Sequence, residues 1–337
     1  MKKINRNDIA IILNNNARNV NKNIKEQVEE IIPRRNIFYT NSLEEADATI
    51  AKILNAHYTH IFTGGGDGTL VYFINKMREI KKKAKIKTKL PAVGILRLGT
   101  GNAVAIYTNS GKKIADDLEV VLKGGTYKTD VIDFVKIDDK YFTFAGFGAD
   151  ALVLNDYDMM KKLPSKVLRY PFAGLKGYFL SALTITLPKV ILKNRFNHVE
   201  IYANSDSSYT VSMIEGFKEL NIKKGDLIYK GPFTSVIVGT TPFYGYGLKA
   251  LPFANKKKDH FQIRILKMHP MLLGYKVLKA WNGLYEGDDI VDFVVKDVIM
   301  KFNRPTPLQI AGEAGGYKKE VRVQLSKEKI DFIKFKD

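Results

Sequence analysis

The residues best equipped for chemistry lie in two short glycine-rich stretches. The first, IFTGGGDGTL (residues 61–70), sets Gly64, Gly65, Gly66, Asp67, Gly68 and Thr69 between an apolar strand pattern and an apolar helix pattern. Glycine is costly in ordered structure and is kept where backbone takes positive φ or approaches something closely. A strand that runs into such a turn and then a helix presents bare backbone amides at a helix N-terminus, which suits phosphate. The spacing is neither that of the usual NTPase loop nor that of the dinucleotide GxGxxG. The carboxylate inside the loop narrows the chemistry: an acid beside phosphate is useful if it carries Mg²⁺ or accepts a proton from an attacking hydroxyl. The plain alternative is that Asp67 only caps the helix that starts near Thr69. The second stretch, LGTGNA (Leu98 to Ala103), offers Thr100, Gly101 and Asn102 at another strand end before a helix. Two such loops at neighbouring strand ends would line one cleft with amides.

The elements that must position these loops follow from hydrophobic periodicity. Ile9 to Leu13 is strand-like, and Val20, Ile24, Val28 and Ile31 then recur at helical spacing until Pro33. NIFYT predicts a second strand. Ser42 followed by Glu45 forms a capping-box pattern ahead of Leu43, Ala46, Ile50 and Ile53 on one helix face. Strand THIFT, the first glycine loop, helix TLVYFINKM, strand PAVGIL, the second glycine loop and a helix from Ala103 to Tyr107 complete the series. Alternating strands and helices predict an α/β domain with a mostly parallel sheet, whose ligands bind beyond the carboxyl ends of its strands. From about Asp133 the period changes to two in FNHVEIY, FQIRIL and EVRVQL, with helical patches at Leu168 to Leu183 and Met271 to Leu284. This half reads as antiparallel and β-rich with inserted helices. The expected domains are residues 1–135 and 136–337, with the last strands returning to the interface.

Composition bounds the function. The chain of 337 residues has no cysteine, which excludes disulfides, thiolate metal sites and a cysteine nucleophile. The apolar run Ile9 to Leu13 is too short for a signal-peptide core, and Tyr170 to Leu192 is broken by Lys176, Pro188 and Lys189. The expectation is a cytoplasmic protein whose membrane contact, if any, is peripheral. A net charge of +19 calls for an anionic partner or a solvated explanation, and six of the nine residues from Lys81 to Lys89 are lysine. The run is either a solvated loop or a docking element for an anionic membrane. No finger, RNP or helix-turn-helix signature supports nucleic acid.

Taken together, GGDGT at Gly65 to Thr69 and LGTGNA at Leu98 to Ala103 resemble the diacylglycerol kinase catalytic-domain family, which includes bacterial lipid kinases and sphingosine kinases. Later matches are less specific: DFVKIDDKYF (Asp133 to Phe142), AGFGADA (Ala145 to Ala151, read as a glycine-bearing strand) and QIAGEAGG (Gln309 to Gly316), where the family has a late D-G-E. The resemblance implies an N-terminal nucleotide-binding domain related to phosphofructokinase and NAD kinase, and a sandwich-like C-terminal domain that holds the lipid. It implies ATP and Mg²⁺ as cofactors, a lipid hydroxyl as acceptor, and is compatible with a homodimer. Gly64, Gly65, Gly66, Gly68, Thr69, Thr100, Gly101 and Asn102 would contact nucleotide, with Asn14 and Arg18 facing it. Asp67 and Glu313 would be the catalytic acids, and Asp150 would meet the substrate.

The sequence departs from the family pattern at several of these places. Asn15 and Arg97 replace prolines, Arg18 a glycine, and His260 stands where a glycine is expected. Ala311 replaces the aspartate of D-G-E and leaves Glu313 as the late acid. Leu152 falls where sphingosine-type relatives carry a second aspartate. Two other readings follow: a degenerate kinase that binds nucleotide or lipid without turnover, and a kinase for a soluble acceptor such as a dinucleotide.

Overall fold

The computed structural model describes residues 4–85, 89–161, 177, 180–186, 188, 197–268, 276, 279, 281–285 and 287–336. The expected helical patches at Leu168 to Leu183 and Met271 to Leu284 lie mostly outside them. The chain divides into two compact units, 1–133 with 328–337, and 134–327.

The first unit is built on a six-stranded sheet. Its strands are β1 (Ile9–Asn14), β2 (Ile37–Thr40), β3 (His60–Gly65), β4 (Ala92–Arg97) and β5 (Tyr127–Ile132), joined by a strand from the end of the chain, Ile330–Phe335. The order is β2-β1-β3-β4, then Ile330–Phe335, then β5. All pairings are parallel except the last, where Ile330–Phe335 runs antiparallel to β5. The final ten residues therefore belong to this unit and not to the β-rich half in which their position in the chain placed them. Backbone pairing on both sides of Phe332 fixes them there.

Among the described residues, helices α1 (Lys22–Ile31), α2 (Leu43–Asn55), α3 (Asp67–Lys83), α4 (Ala103–Tyr107) and α5 (Ile114–Lys123) accompany the sheet. Ser42 caps α2 by accepting from the Glu45 amide at 3.2 Å, as its capping-box pattern predicts. Val28 and Ile32 join Ile114, Leu118 and Val121 of α5 against Ile9, Ile11, Leu13 and Leu96 of the sheet. Burying each such side chain is worth roughly 1.5–3 kcal/mol, so alternation along β1 fixes which face α1 covers. The chain leaves β1 for β2 on one side and returns past β1 to β3 on the other. The carboxyl ends of β1 and β3 thus form the switch point where open α/β sheets place ligands.

The second unit carries a twelve-stranded sheet. It comprises β6 (Val135–Ile137), β7 (Lys140–Phe142), β8 (Phe144–Gly148), β9 (Asn197–Ala203), β10 (Ser208–Ser212), β11 (Gly216–Glu219), β12 (Leu227–Phe233), β13 (Ser235–Gly239), β14 (Phe261–Leu266), β15 (Ile290–Val295), β16 (Asp297–Ile310) and β17 (Glu313–Leu325), with helix α6 (Ala149–Lys161) after β8. Its strand pairings are antiparallel. β8, β13 and β14 are buried along their whole length, and in β14 this includes the alternating polar residues Gln262 and Arg264. A buried ion pair crosses the sheet: Arg264 donates to both carboxylate oxygens of Asp292, at 2.9 and 2.8 Å.

Candidate active site

In the first unit the two glycine loops meet. β3 ends at Gly65, and α3 begins at Asp67 with Gly66 as its N-cap and no side chain capping it. A Cβ built on Gly99 would overlap the Gly66 Cα and lie 2.8 Å from the Gly65 carbonyl oxygen and the Gly66 nitrogen. One on Gly65 would lie 2.7 Å from Thr69, and one on Gly64 would collide with Leu13. Gly99 lets one loop's backbone rest on the other's, while Gly64 and Gly65 leave room for the Leu13 and Thr69 side chains. Gly66 differs from them, because a Cβ there would meet only the Gly99 Cα, at an ordinary 3.6 Å.

Asp67 joins the loops. Its Oδ2 accepts from the Ala103 amide at 3.0 Å and its Oδ1 from the Val104 amide at 3.1 Å. It therefore caps a helix, α4, that begins 36 residues further on, and not the one it starts. Burial pushes its carboxyl above the ordinary aspartate range, against the opposing pull of these amides. The Asn102 amide and the residue's own backbone amide add to that pull. With the α4 amides taken, the N-terminus of α3 is the end without a side-chain cap, and such an end favours an anion.

The remaining residues of this cluster divide by what their side chains touch. Asn14, at the end of β1, donates to Thr69 Oγ1 at 3.1 Å across the switch point and accepts from the Asn16 amide at 2.9 Å. Asn102 sits in the left-handed region at φ +55, accepts from the Gly99 amide at 3.0 Å and donates back to the Gly99 carbonyl at 2.8 Å. Its side chain closes the second loop upon itself. Thr100 and Arg18 are exposed. Asn19, which the sequence did not single out, holds the same loop through its own amide to the Leu98 carbonyl and its side chain to the Gly99 carbonyl, at 3.3 and 3.2 Å.

Asp150 and Glu313 belong to the second unit. The sequence placed Asp150 on a strand, but Gly148 at φ +90 turns the chain and Asp150 lies in the first turn of α6. Tyr244 donates to Asp150 Oδ2 at 2.5 Å and Gln309 Nε2 donates to the same oxygen at 3.1 Å. Burial raises the Asp150 carboxyl, and these two donors oppose the shift. Gly146 leaves the room this cluster occupies, since a Cβ there would overlap both Asp150 and Tyr244. Gln309 Oε1 also accepts from the Gly312 amide at 2.8 Å, tying Asp150 to the turn between β16 and β17. Ala311 in that turn holds φ +49, a conformation easier for aspartate or asparagine, and Glu313 just beyond it is exposed. Tyr244 carries no motif signal and Gln309 only opens the QIAGEAGG stretch; the fold gathers them.

His260 is buried, with its Nδ1 against the Lys258 carbonyl at 2.7 Å and its Nε2 against Ser207 Oγ at 2.8 Å. Within the run from Lys81 to Lys89, Lys83 pairs with Glu79 at 2.6 Å and Lys89 with Asp331. No described helix is long and apolar enough to cross a membrane.

Comparison with known proteins gives a consistent picture. Residues 8–134 match the model of the diacylglycerol kinase catalytic domain. A diacylglycerol kinase of Staphylococcus carnosus is 22% identical over 274 residues, covering 80% of this chain and 76% of that protein. One of Staphylococcus saprophyticus is 28% identical over 142 residues, 42% of each chain. The crystal structure of a diacylglycerol kinase from Bacillus anthracis superposes over 97% of this chain and 96% of its own, with a TM-score of 0.63 at 14% identity. A second Bacillus anthracis structure of the same kind reaches 0.67 at 18% identity with the same coverage. At such identities the superpositions show the fold.

Proposed function

We propose, from the premise that the chain belongs to the diacylglycerol kinase catalytic-domain family and is therefore a kinase, that it transfers the γ-phosphoryl group of ATP to a hydroxyl of a lipid. The observation that carries the reading is the arrangement at the switch point: two glycine loops in backbone contact, a carboxylate held between them, and the α3 N-terminus with no side-chain cap. Phosphoryl transfer needs positioning and charge neutralisation more than covalent chemistry; in this reading the loop amides position the phosphates and Mg²⁺ would neutralise them.

The α3 amides and Thr69 are assigned to the phosphates, with Asn14 orienting Thr69 Oγ1. Asp67 is assigned the acid's part, as the carboxylate held between the two loops. Among the described residues no three acids or histidines gather as a metal site. Mg²⁺ would thus be carried chiefly by the nucleotide's own phosphates, with Asp67 as a protein carboxylate able to join them, and would supply neutralisation of the phosphate charge. Asp150, with Tyr244 and Gln309, is assigned to the lipid's polar end, and Glu313 to the late acid's role.

One observation favours a second reading. The turn that carries an aspartate in the family holds Ala311 at φ +49, strained and without a carboxylate, as a chain that binds without turnover would allow. Offering labelled ATP to lipid micelles and to a soluble dinucleotide in parallel separates the readings. Labelled lipid is the expected result. Label on the soluble acceptor alone would overturn the lipid assignment, and ATP binding with label on neither would favour the binding module.

A further inference from the structure

β10 and β11 form a hairpin at the edge of the larger sheet, with β11 outermost. Its loop is Met213, Ile214 and Glu215, closed by Gly216 at φ +67 and by Ser212 Oγ accepting from the Glu215 amide at 2.9 Å. Ser212 and Gly216 already provide what the turn geometry demands. The tip nonetheless carries large apolar side chains where a turn usually has polar ones: Ile214 is 92% exposed, Met213 40%, and Phe217, the second residue of β11, 38%. Cationic side chains stand behind the tip. The Lys257 Nζ lies 3.8 Å from the Tyr209 ring centroid and 5.9 Å from that of Phe217, and Lys256 lies 5.5 Å from that of Phe253. Lys218 follows Phe217 on the strand.

We propose that the hairpin tip at Met213 and Ile214, with Phe217, is a wedge that enters an anionic bilayer while Lys218, Lys256 and Lys257 meet lipid phosphates. The arrangement is that of interfacial anchors, with apolar groups foremost and lysines at the level of the headgroups. A bilayer fits better than a protein partner. Three side chains on a protruding loop offer far less than the roughly 800 Å² per side of a stable protein interface, whereas a bilayer receives a small wedge without a matching surface. In the lysine-rich run Lys81 to Lys89, Lys83 and Lys89 pair with acids, whereas the hairpin sets exposed apolar side chains beside its cations. Glu215, in the loop itself, works against an anionic surface, so its removal strengthens binding. The lipid-kinase reading supplies the reason a bilayer is met, but the binding can be measured without it.

The test is co-sedimentation of the full chain with phosphatidylcholine vesicles with and without phosphatidylglycerol, at low and high salt. The wild type binds the anionic vesicles, and salt weakens the binding. Met213→Gln with Ile214→Gln lowers the affinity about tenfold or more, Lys256→Gln with Lys257→Gln does likewise, and Glu215→Gln raises it. Transfer to a short-chain lipid dissolved as monomers is unchanged in the tip variants. Binding by the tip variants equal to the wild type, failure of the wild type to bind anionic vesicles, or loss of a dimer in the tip variants would overturn the proposal. Vesicle binding through the tip without transfer to any lipid would leave the wedge standing and remove the kinase reading instead.

Discussion

Gly66 and Gly99 touch, yet the two should respond to alanine in different ways. In Gly99→Ala the new methyl meets the backbone of the other loop, 2.8 Å from the Gly65 oxygen and the Gly66 nitrogen and closer still to the Gly66 Cα. Ordinary contact needs about 3.5 Å or more, so the loops must part by roughly an ångström, with no flexible side chain to give way. Overpacking of this kind costs about 1–3 kcal/mol or somewhat more. For a unit of this size that lowers the midpoint of thermal unfolding by roughly 10 °C. In Gly66→Ala the methyl finds an ordinary 3.6 Å contact at φ −96 and ψ −176, which any residue adopts. Exchanging glycine for alanine at an N-cap should cost about 1 kcal/mol or less. If the α3 N-terminus receives phosphate, though, that same methyl stands where the backbone must approach the ligand, and ATP affinity should fall about tenfold or more. Calorimetric unfolding and ATP titration on both variants check this. Equal loss of stability in the two would refute the account of the loop contact. Unchanged ATP affinity in Gly66→Ala would refute the phosphate assignment.

Asp67→Asn keeps one acceptor for the α4 amides but turns an NH₂ group toward the other, and it removes the charge from that helix N-terminus. A loss of about 2–4 kcal/mol is expected in thermal unfolding, and an unchanged midpoint would mean the carboxylate is no brace. Asp117 accepts from the Gly111 amide at 2.9 Å, and burial pushes its carboxyl up to about 6. The folded state therefore holds this proton more tightly than the unfolded chain, so the group's stabilising contribution is complete below about pH 4 and is lost as pH rises through about 6. After discounting for solvent the effect is about 1–2 kcal/mol, and Asp117→Asn should flatten the profile of melting temperature between pH 4 and pH 7. Arg264→Met strands the Asp292 carboxylate in the core and should cost about 3–5 kcal/mol, while adding Asp292→Leu should recover part of the loss in a double-mutant cycle.

What the sequence made legible was local. A strand, a glycine run with an acid inside it, and a helix have few uses in combination, so the loops at Gly64 to Thr69 and Leu98 to Ala103 stood out from residue type alone. Alternating periods likewise implied the mostly parallel sheet. The partners of Asp67 were another matter, because capping patterns look a few residues along the same helix and its amides come from Ala103 and Val104. The same limit hid the strand Ile330–Phe335 between β4 and β5, since a period-two pattern gives a face but not a neighbour. Asp150 was mistaken for a strand residue because one glycine, Gly148, decides by its positive φ where the strand stops. Its bonds to Tyr244 and Gln309 span 94 and 159 residues, and no local pattern encodes such a meeting.

The central claim is that the loops joined by Asp67 hold ATP for transfer to a lipid. Its most direct test is the rate at which γ-labelled ATP with Mg²⁺ labels a total lipid extract in mixed micelles, for the wild type and for Asp67→Asn below the unfolding transition of either. The account predicts a labelled lipid product from the wild type and a rate about 10²- to 10⁴-fold lower from the variant. Equal rates would remove Asp67 from the chemistry, and no labelled lipid from a wild type that binds ATP would contradict the kinase itself.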